Sequence, residues 1–115
     1  MVDARRIAER YLEQRRMVKG SLKEKKLTDS QFQCLLYIGS RTVNSENKVP
    51  LDLNETVKKT TSSKSRISVG LSNLMRKGYL EKEIDLTDQR KVNVALTKKG
   101  ARLYSELTEI LEGKI

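Results

Sequence analysis

The segment TTSSKSRISVGLSNLMRKGYLEKEIDLTDQRKVNVALT, residues 60–97, changes its apolar spacing midway. Ile67, Leu71, Leu74 and Met75 recur at three- and four-residue steps, the spacing of one helix face. From Tyr79 onward the step is two: Leu80, Lys82 and Ile84, then Val92, Val94 and Leu96. The first half predicts a helix over about residues 63–77, with Ser62 or Ser63 as N-cap and Gly78 as stop. The second half predicts a β-hairpin from residues 79–84 and 91–97. The polar DLTDQR between them makes a longer connection than a tight two-residue turn.

Upstream of this segment, Asp52 is placed to cap a short helix with Leu53 and Val57 inward and Lys58 and Lys59 at its exposed end. A short strand at Val49–Leu51 precedes it, after a polar loop at 40–50. Thr28 and Gln31 have the spacing of a capping box, which predicts a helix start there. That helix turns Phe32, Leu35, Leu36 and Ile38 inward and ends at Gly39. Residues 3–18 predict a first helix on the spacing of Ala4, Ile7, Ala8, Tyr11, Leu12 and Val18, with Gly20 and Ser21 ending it. Downstream, Thr97 caps a last helix over 98–112 with the stripe Leu103, Tyr104, Leu107, Ile110 and Leu111. Lys98 and Lys99 sit in its first turn, where the helix dipole disfavours cations. Either this is chance or an anionic partner holds them there.

The order is helix, helix, short strand, helix, helix, hairpin, helix. This predicts a mainly helical α+β fold, a winged helix-turn-helix in one domain spanning 1–115. The core and wing take 28–97. The terminal helices, 3–18 and 98–112, either pair across two chains or cover their own core.

Composition bounds the function. The 115 residues carry 24 Lys and Arg against 15 Asp and Glu, a net charge of +9, with no His. Without His there is no imidazole-dependent triad or zinc site. There is also no Gly-rich phosphate loop, so no enzyme, cofactor or metal is expected. No run of about 18 apolar residues predicts a membrane span. MVDARRIAER lacks the apolar stretch of a signal peptide, and a single Cys fits a reducing cytosol. A cytoplasmic, nucleoid-associated binding protein is the expectation.

The charge is concentrated. Thr56 to Leu80 contains no acid and six bases: Lys58, Lys59, Lys64, Arg66, Arg76 and Lys77. Duplex DNA carries one negative charge per about 1.7 Å of axis, so docking requires such a face. Opposite the apolar stripe of the 63–77 helix lie Ser62, Ser65, Val69, Ser72, Asn73 and Arg76, with Ser63, Lys64 and Arg66 at its start and flank. Small hydrogen-bonding side chains let a backbone approach base edges, and Arg pairs guanine through two bonds. Arg90 and Lys91, at the end of the wing segment 85–91, would reach an adjacent minor groove or backbone.

DLTDQRKVNVALTKKG, residues 85–100, resembles the wing-to-helix signature of MarR-type winged-helix regulators. The pattern D-x-x-D-x-R followed by a strand ending in L-T-x-x-G is met by Asp85, Asp88, Arg90, Leu96, Thr97 and Gly100. LTDSQFQCLLYI, residues 27–38, resembles the family's L-T-x-x-Q-x-x-x-L helix entry. RISVGLSNLMRKGYL, residues 66–80, is similar to its recognition helix and Lys-Gly turn. The short chain and the long 40–50 loop bring it nearer to the small, basic SarA-type members. The resemblance implies a homodimeric repressor-type regulator on a near-palindromic operator. Ile7, Tyr11, Leu107, Ile110 and Leu111 are then the candidate interface.

It also implies a small-molecule ligand of unspecified chemistry, for which Tyr11, Tyr37 and Tyr104 are candidate lining or simply core. Cys34 is either a buried inert thiol or, as in some relatives, an oxidant sensor. The competing reading is a structural, replication or partition protein of a plasmid, phage or other small genome that coats DNA with weak sequence preference. A winged helix that binds protein or RNA would instead need an acidic partner for the acid-free helix.

Overall fold

The computed structural model describes residues 3–42, 49–84 and 92–113. The elements are α1 (Ala4–Lys25), α2 (Asp29–Thr42), β1 (Val49–Leu51), α3 (Leu53–Lys59), α4 (Lys64–Arg76), β2 (Leu80–Ile84), β3 (Val92–Leu96) and α5 (Lys98–Glu112). The strands form one antiparallel sheet with β3 in the middle. Leu80 pairs with Leu96 in the hairpin, and Val49 pairs with Val94 on the other edge. The loop residues 43–48 and the wing tip 85–91 lie outside the described residues.

Local chemistry starts the helices. Thr28 and Gln31 form the reciprocal capping box: Gln31 N–H donates to Thr28 Oγ1 at 3.2 Å, and Thr28 N–H donates to Gln31 Oε1 at 3.1 Å. Asp52 caps α3 by accepting from Asn54 and Glu55 N–H. Ser63, not Ser62, caps α4, and Thr97 caps α5. Each such cap contributes about 1 kcal/mol.

Two predicted helix stops are overridden. The first helix does not end at Gly20 and Ser21 but runs on to Lys25. A mid-helix Gly costs only about 1 kcal/mol, and the following turn buries Ser21 and Leu22 against the core. α1 ends instead at Lys26, in the left-handed region at φ 58. The Leu27 N–H then reaches back to the Leu22 carbonyl at 2.8 Å, and both leucines are buried. This is the hydrogen-bonded and apolar closure that offsets a non-glycine there. Similarly, α2 continues through Gly39 to Thr42. Gly39 is a packing notch: a Cβ there would overlap the Tyr104 ring of α5.

The core joins α2, α4, α5 and the sheet through Leu35, Ile38, Ile67, Leu74, Val94 and Leu107. Thr56 is as deeply buried, its hydroxyl donating to the Asp52 carbonyl at 2.8 Å. The predicted inward residues Leu53 and Val57 are only partly buried beside it. The L-T-x-x-G stretch is a clasp between hairpin and last helix. Thr97 N–H donates to the Tyr79 carbonyl at 3.1 Å, and its hydroxyl donates to the Gly78 carbonyl while accepting from Gly100 N–H.

Cys34 lies on α2 with no solvent exposure, and burial pushes its thiol up to about 11. The raised value means the folded state holds the proton that the unfolded state loses first. The thiol's contribution to stability is therefore intact below the ordinary thiol range and declines as pH rises towards 11. In the folded protein at pH 8, Cys34 is expected to resist alkylation by iodoacetamide and to react only on unfolding. Rapid stoichiometric labelling of the native protein would contradict this burial.

Candidate nucleic-acid interface

α4 turns Ile67, Leu71 and Leu74 into the core, and this places Lys64, Ser65, Arg66, Val69, Ser72 and Arg76 at the surface. Val69 is 61% exposed at the middle of that face. Ser63 holds the start of the helix, its Oγ accepting from Arg66 N–H at 3.3 Å. Asn73 is half-buried, and its amide oxygen accepts from the Arg76 guanidinium, which ties that side chain along the helix. Lys58 is exposed at the end of α3. Arg90 and Lys91 lie outside the described residues.

Ser62 belongs elsewhere than the sequence reading put it. It is buried, and its hydroxyl pairs with Ser30 of α2 at 2.8 Å. Beside it, Gln33 of α2 accepts from Thr61 N–H at 2.7 Å and donates to Thr61 Oγ1 at 2.8 Å. These bonds bind the turn between α3 and α4 to α2, and so fix where the exposed face points. Ser30 and Gln33 escaped the sequence reading because nothing local marks a residue whose partner lies about thirty positions away.

The acid-free character of α4 holds for its own segment but not for its surroundings. A groove of about 540 Å³ runs between α4 and the start of α2, and Asp29 stands on its wall with Arg66 and Asn73. Asp29 accepts from Gln33 Nε2 at 2.7 Å. It therefore braces the same Gln33 that holds Thr61, in the first turn of a helix, where the dipole favours an anion.

The awkward lysine at the start of α5 also has a local answer. Lys99 donates to the Lys77 carbonyl at 2.9 Å, and its ammonium stands 4.6 Å from the Tyr79 ring centroid. It neutralises the C-terminal end of α4, so no anionic partner is needed to explain it.

The predicted interface residues divide. Ile7 and Tyr11 are 54% and 58% exposed, and Leu111 is 41% exposed. Leu107 and Ile110, in contrast, are buried inside their own chain, because α5 turns them onto the core. Leu12, 66% exposed, is an apolar side chain the interface reading passed over. Gln14 and Arg10 of α1 donate to the Leu111 and Glu112 carbonyls, so α1 lies along α5. Tyr11 is exposed while Tyr37 and Tyr104 are half-buried, and Tyr104 is committed to Gly39. No helix among the described residues is long and apolar enough to cross a membrane.

Comparison with solved structures returns the same architecture. A point mutant of S. aureus MepR bound to an oligodeoxyribonucleotide superposes with a TM-score of 0.76 at 22% identity, over 99% of this chain and 79% of that one. S. aureus MepR bound to ethidium bromide gives 0.67 at 22%, over 99% and 78%. The reduced form of MarR from E. coli gives 0.69 at 22%, over 97% and 78%. The fold is therefore that of the MarR-type winged helix. No curated protein sequence matches the chain. A protein-family model described as transcriptional regulator SarA/Rot matches residues 16–107, well over half of the chain. With the winged helix-turn-helix in place and that match spanning it, the chain belongs to the SarA/Rot family of transcriptional regulators, which are not enzymes.

Proposed function

We propose that the protein is a sequence-specific duplex DNA-binding regulator that works as a homodimer. The observation that carries this reading is the outward face of α4. Lys64, Ser65, Arg66, Val69, Ser72 and Arg76 stand clear of the core on a helix whose base is pinned by α2. In this reading α4 enters the major groove. Arg66 and Arg76 read bases or hold phosphates, Val69 meets apolar base edges such as thymine methyls, and Ser65, Ser72 and Asn73 add hydrogen bonds. Ser63 and Lys64 meet the backbone at the helix start and Lys58 meets it from α3, while Arg90 and Lys91 of the wing reach the adjacent minor groove or backbone. S. aureus MepR, of the same fold, has been seen on DNA.

The dimer rests on α1. Ile7, Tyr11, Val18 and Leu22 fall on one helical stripe; Val18 and Leu22 are buried, while Ile7 and Tyr11 run on into solvent. An apolar stripe that outruns its own core calls for a second surface, and a second copy of the chain provides one together with Leu111 and Leu12. Two copies would present two α4 helices to half-sites one turn apart, a near-palindromic operator, and occlude or remodel the promoter there.

Tyr11→Asp with Ile7→Asp is expected to convert a dimer into a folded monomer in sedimentation velocity. Losing the second half-site then weakens operator binding at least about tenfold. A wild-type protein that sediments as a monomer, or a double variant that stays dimeric, would refute the arrangement.

A further inference from the structure

We infer that the DNA track does not stop at the helix-turn-helix, but continues past the start of α2 onto a basic stripe of α1. There Arg15, Lys19 and Lys23 hold phosphates of the flanking duplex. This rests on the DNA-binding reading above and extends its contact surface.

Residues 14–23 contain Arg15, Arg16, Lys19 and Lys23 and no acid. All four line one groove of about 840 Å³ whose floor is Val18, Leu22 and Leu27. Asp29 is on the wall of this groove and also on the wall of the α4 groove, so the two surfaces adjoin at the first turn of α2. Arg16 is engaged, donating to both carboxylate oxygens of Glu13 at 2.8 Å. Arg15, Lys19 and Lys23 are exposed and form no ion pair among the described residues.

Three free cations on one face are a poor surface for an apolar partner, because burying unpaired charge is costly. The apolar stripe through Ile7 and Tyr11 lies about a quarter-turn away on the same helix, so a second copy of the chain can cover it and leave the cations open. Arg15 to Lys23 spans about 12 Å of helix axis. Each strand of a duplex offers one phosphate per about 3.4 Å of axis, so a short run of phosphates matches the stripe. Polyanionic DNA leaving the α4 groove is thus the occupant that charge and continuity both favour.

The test compares wild type with Arg15→Gln/Lys19→Gln/Lys23→Gln on a duplex enriched from a random pool. The duplex is trimmed to about 20 base pairs, enough for two half-sites one turn apart, or extended on both sides to twice that length. Glutamine keeps the helix, so equal melting temperatures check the fold. The expected result is equal affinity on the short duplex. On the long duplex the variant loses about tenfold, and its log–log salt slope falls by about 2.7 per protomer for three lost contacts. Equal affinities and slopes on the long duplex would overturn the extended track alone and leave the stripe to an acidic protein segment. Failure of the wild type to bind even the short duplex would overturn the DNA-binding reading, and this inference with it.

Discussion

Replacing Gly100 with alanine is expected to destabilise the protein by about 3 kcal/mol, at the upper end of what overpacking costs. A Cβ at this position would overlap the Tyr79 carbonyl oxygen. That oxygen belongs to the backbone, not to the end of a flexible side chain, and it already accepts from Thr97 N–H. Relief requires the hairpin to move off the last helix, which breaks the Thr97 clasp. A thermal melt should show a fall on the order of 12 °C. Gly20→Ala is the control, since a Cβ there meets nothing within 4 Å. It should hold or raise stability, by up to about 1 kcal/mol, because alanine is the better helix former. If Gly100→Ala melts with the wild type, the clasp does not set the junction of wing and last helix.

Val69→Glu is expected to abolish operator binding while leaving the fold intact. The side chain is exposed at the centre of the α4 face, so glutamate adds no buried charge and suits a helix. It would place a carboxylate where the account puts base edges and phosphates. Like charges juxtaposed across an interface cost several kcal/mol, so affinity should drop at least about 100-fold, or about 2.8 kcal/mol at about 1.4 per decade. Anisotropy titration against the enriched duplex reads the loss, and a melt coincident with the wild type shows that it comes from the interface. Undiminished binding would remove α4 from the groove.

Much of this fold is legible in the sequence because its signals are local. Thr28 and Gln31, Asp52, and Thr97 cap helices through bonds to residues two or three positions away, so spacing alone reveals them. The change of period between residues 60–77 and 79–97 likewise follows from which faces are buried. What escaped was decided by distant contacts. Gly20 and Gly39 resemble helix stops, yet packing of Leu22 on the core and of Tyr104 on Gly39 carries both helices past them.

The candidate site divides the same way. The outward face of α4 follows from its helical period, whereas Ser62 left that face because Ser30 lies opposite it in space. Leu107 and Ile110 share the stripe of a helix end that reads equally as core or interface, and the fold spends them on the core. Asp29 entered the groove from a different helix, so the local charge count of the 56–80 segment did not include it.

The docking of α4 on a specific operator is tested by enrichment of bound sequences from a random duplex pool with the wild-type protein, at about 50 and 200 mM salt, where phosphate contacts give a steep salt dependence. The expected result is enrichment of a near-palindrome whose half-sites are centred one helical turn, about 10 base pairs, apart. Tight binding without any enriched motif would contradict the operator and favour a DNA-coating role. Absence of duplex binding at the lower salt would contradict the assignment of α4 to DNA altogether.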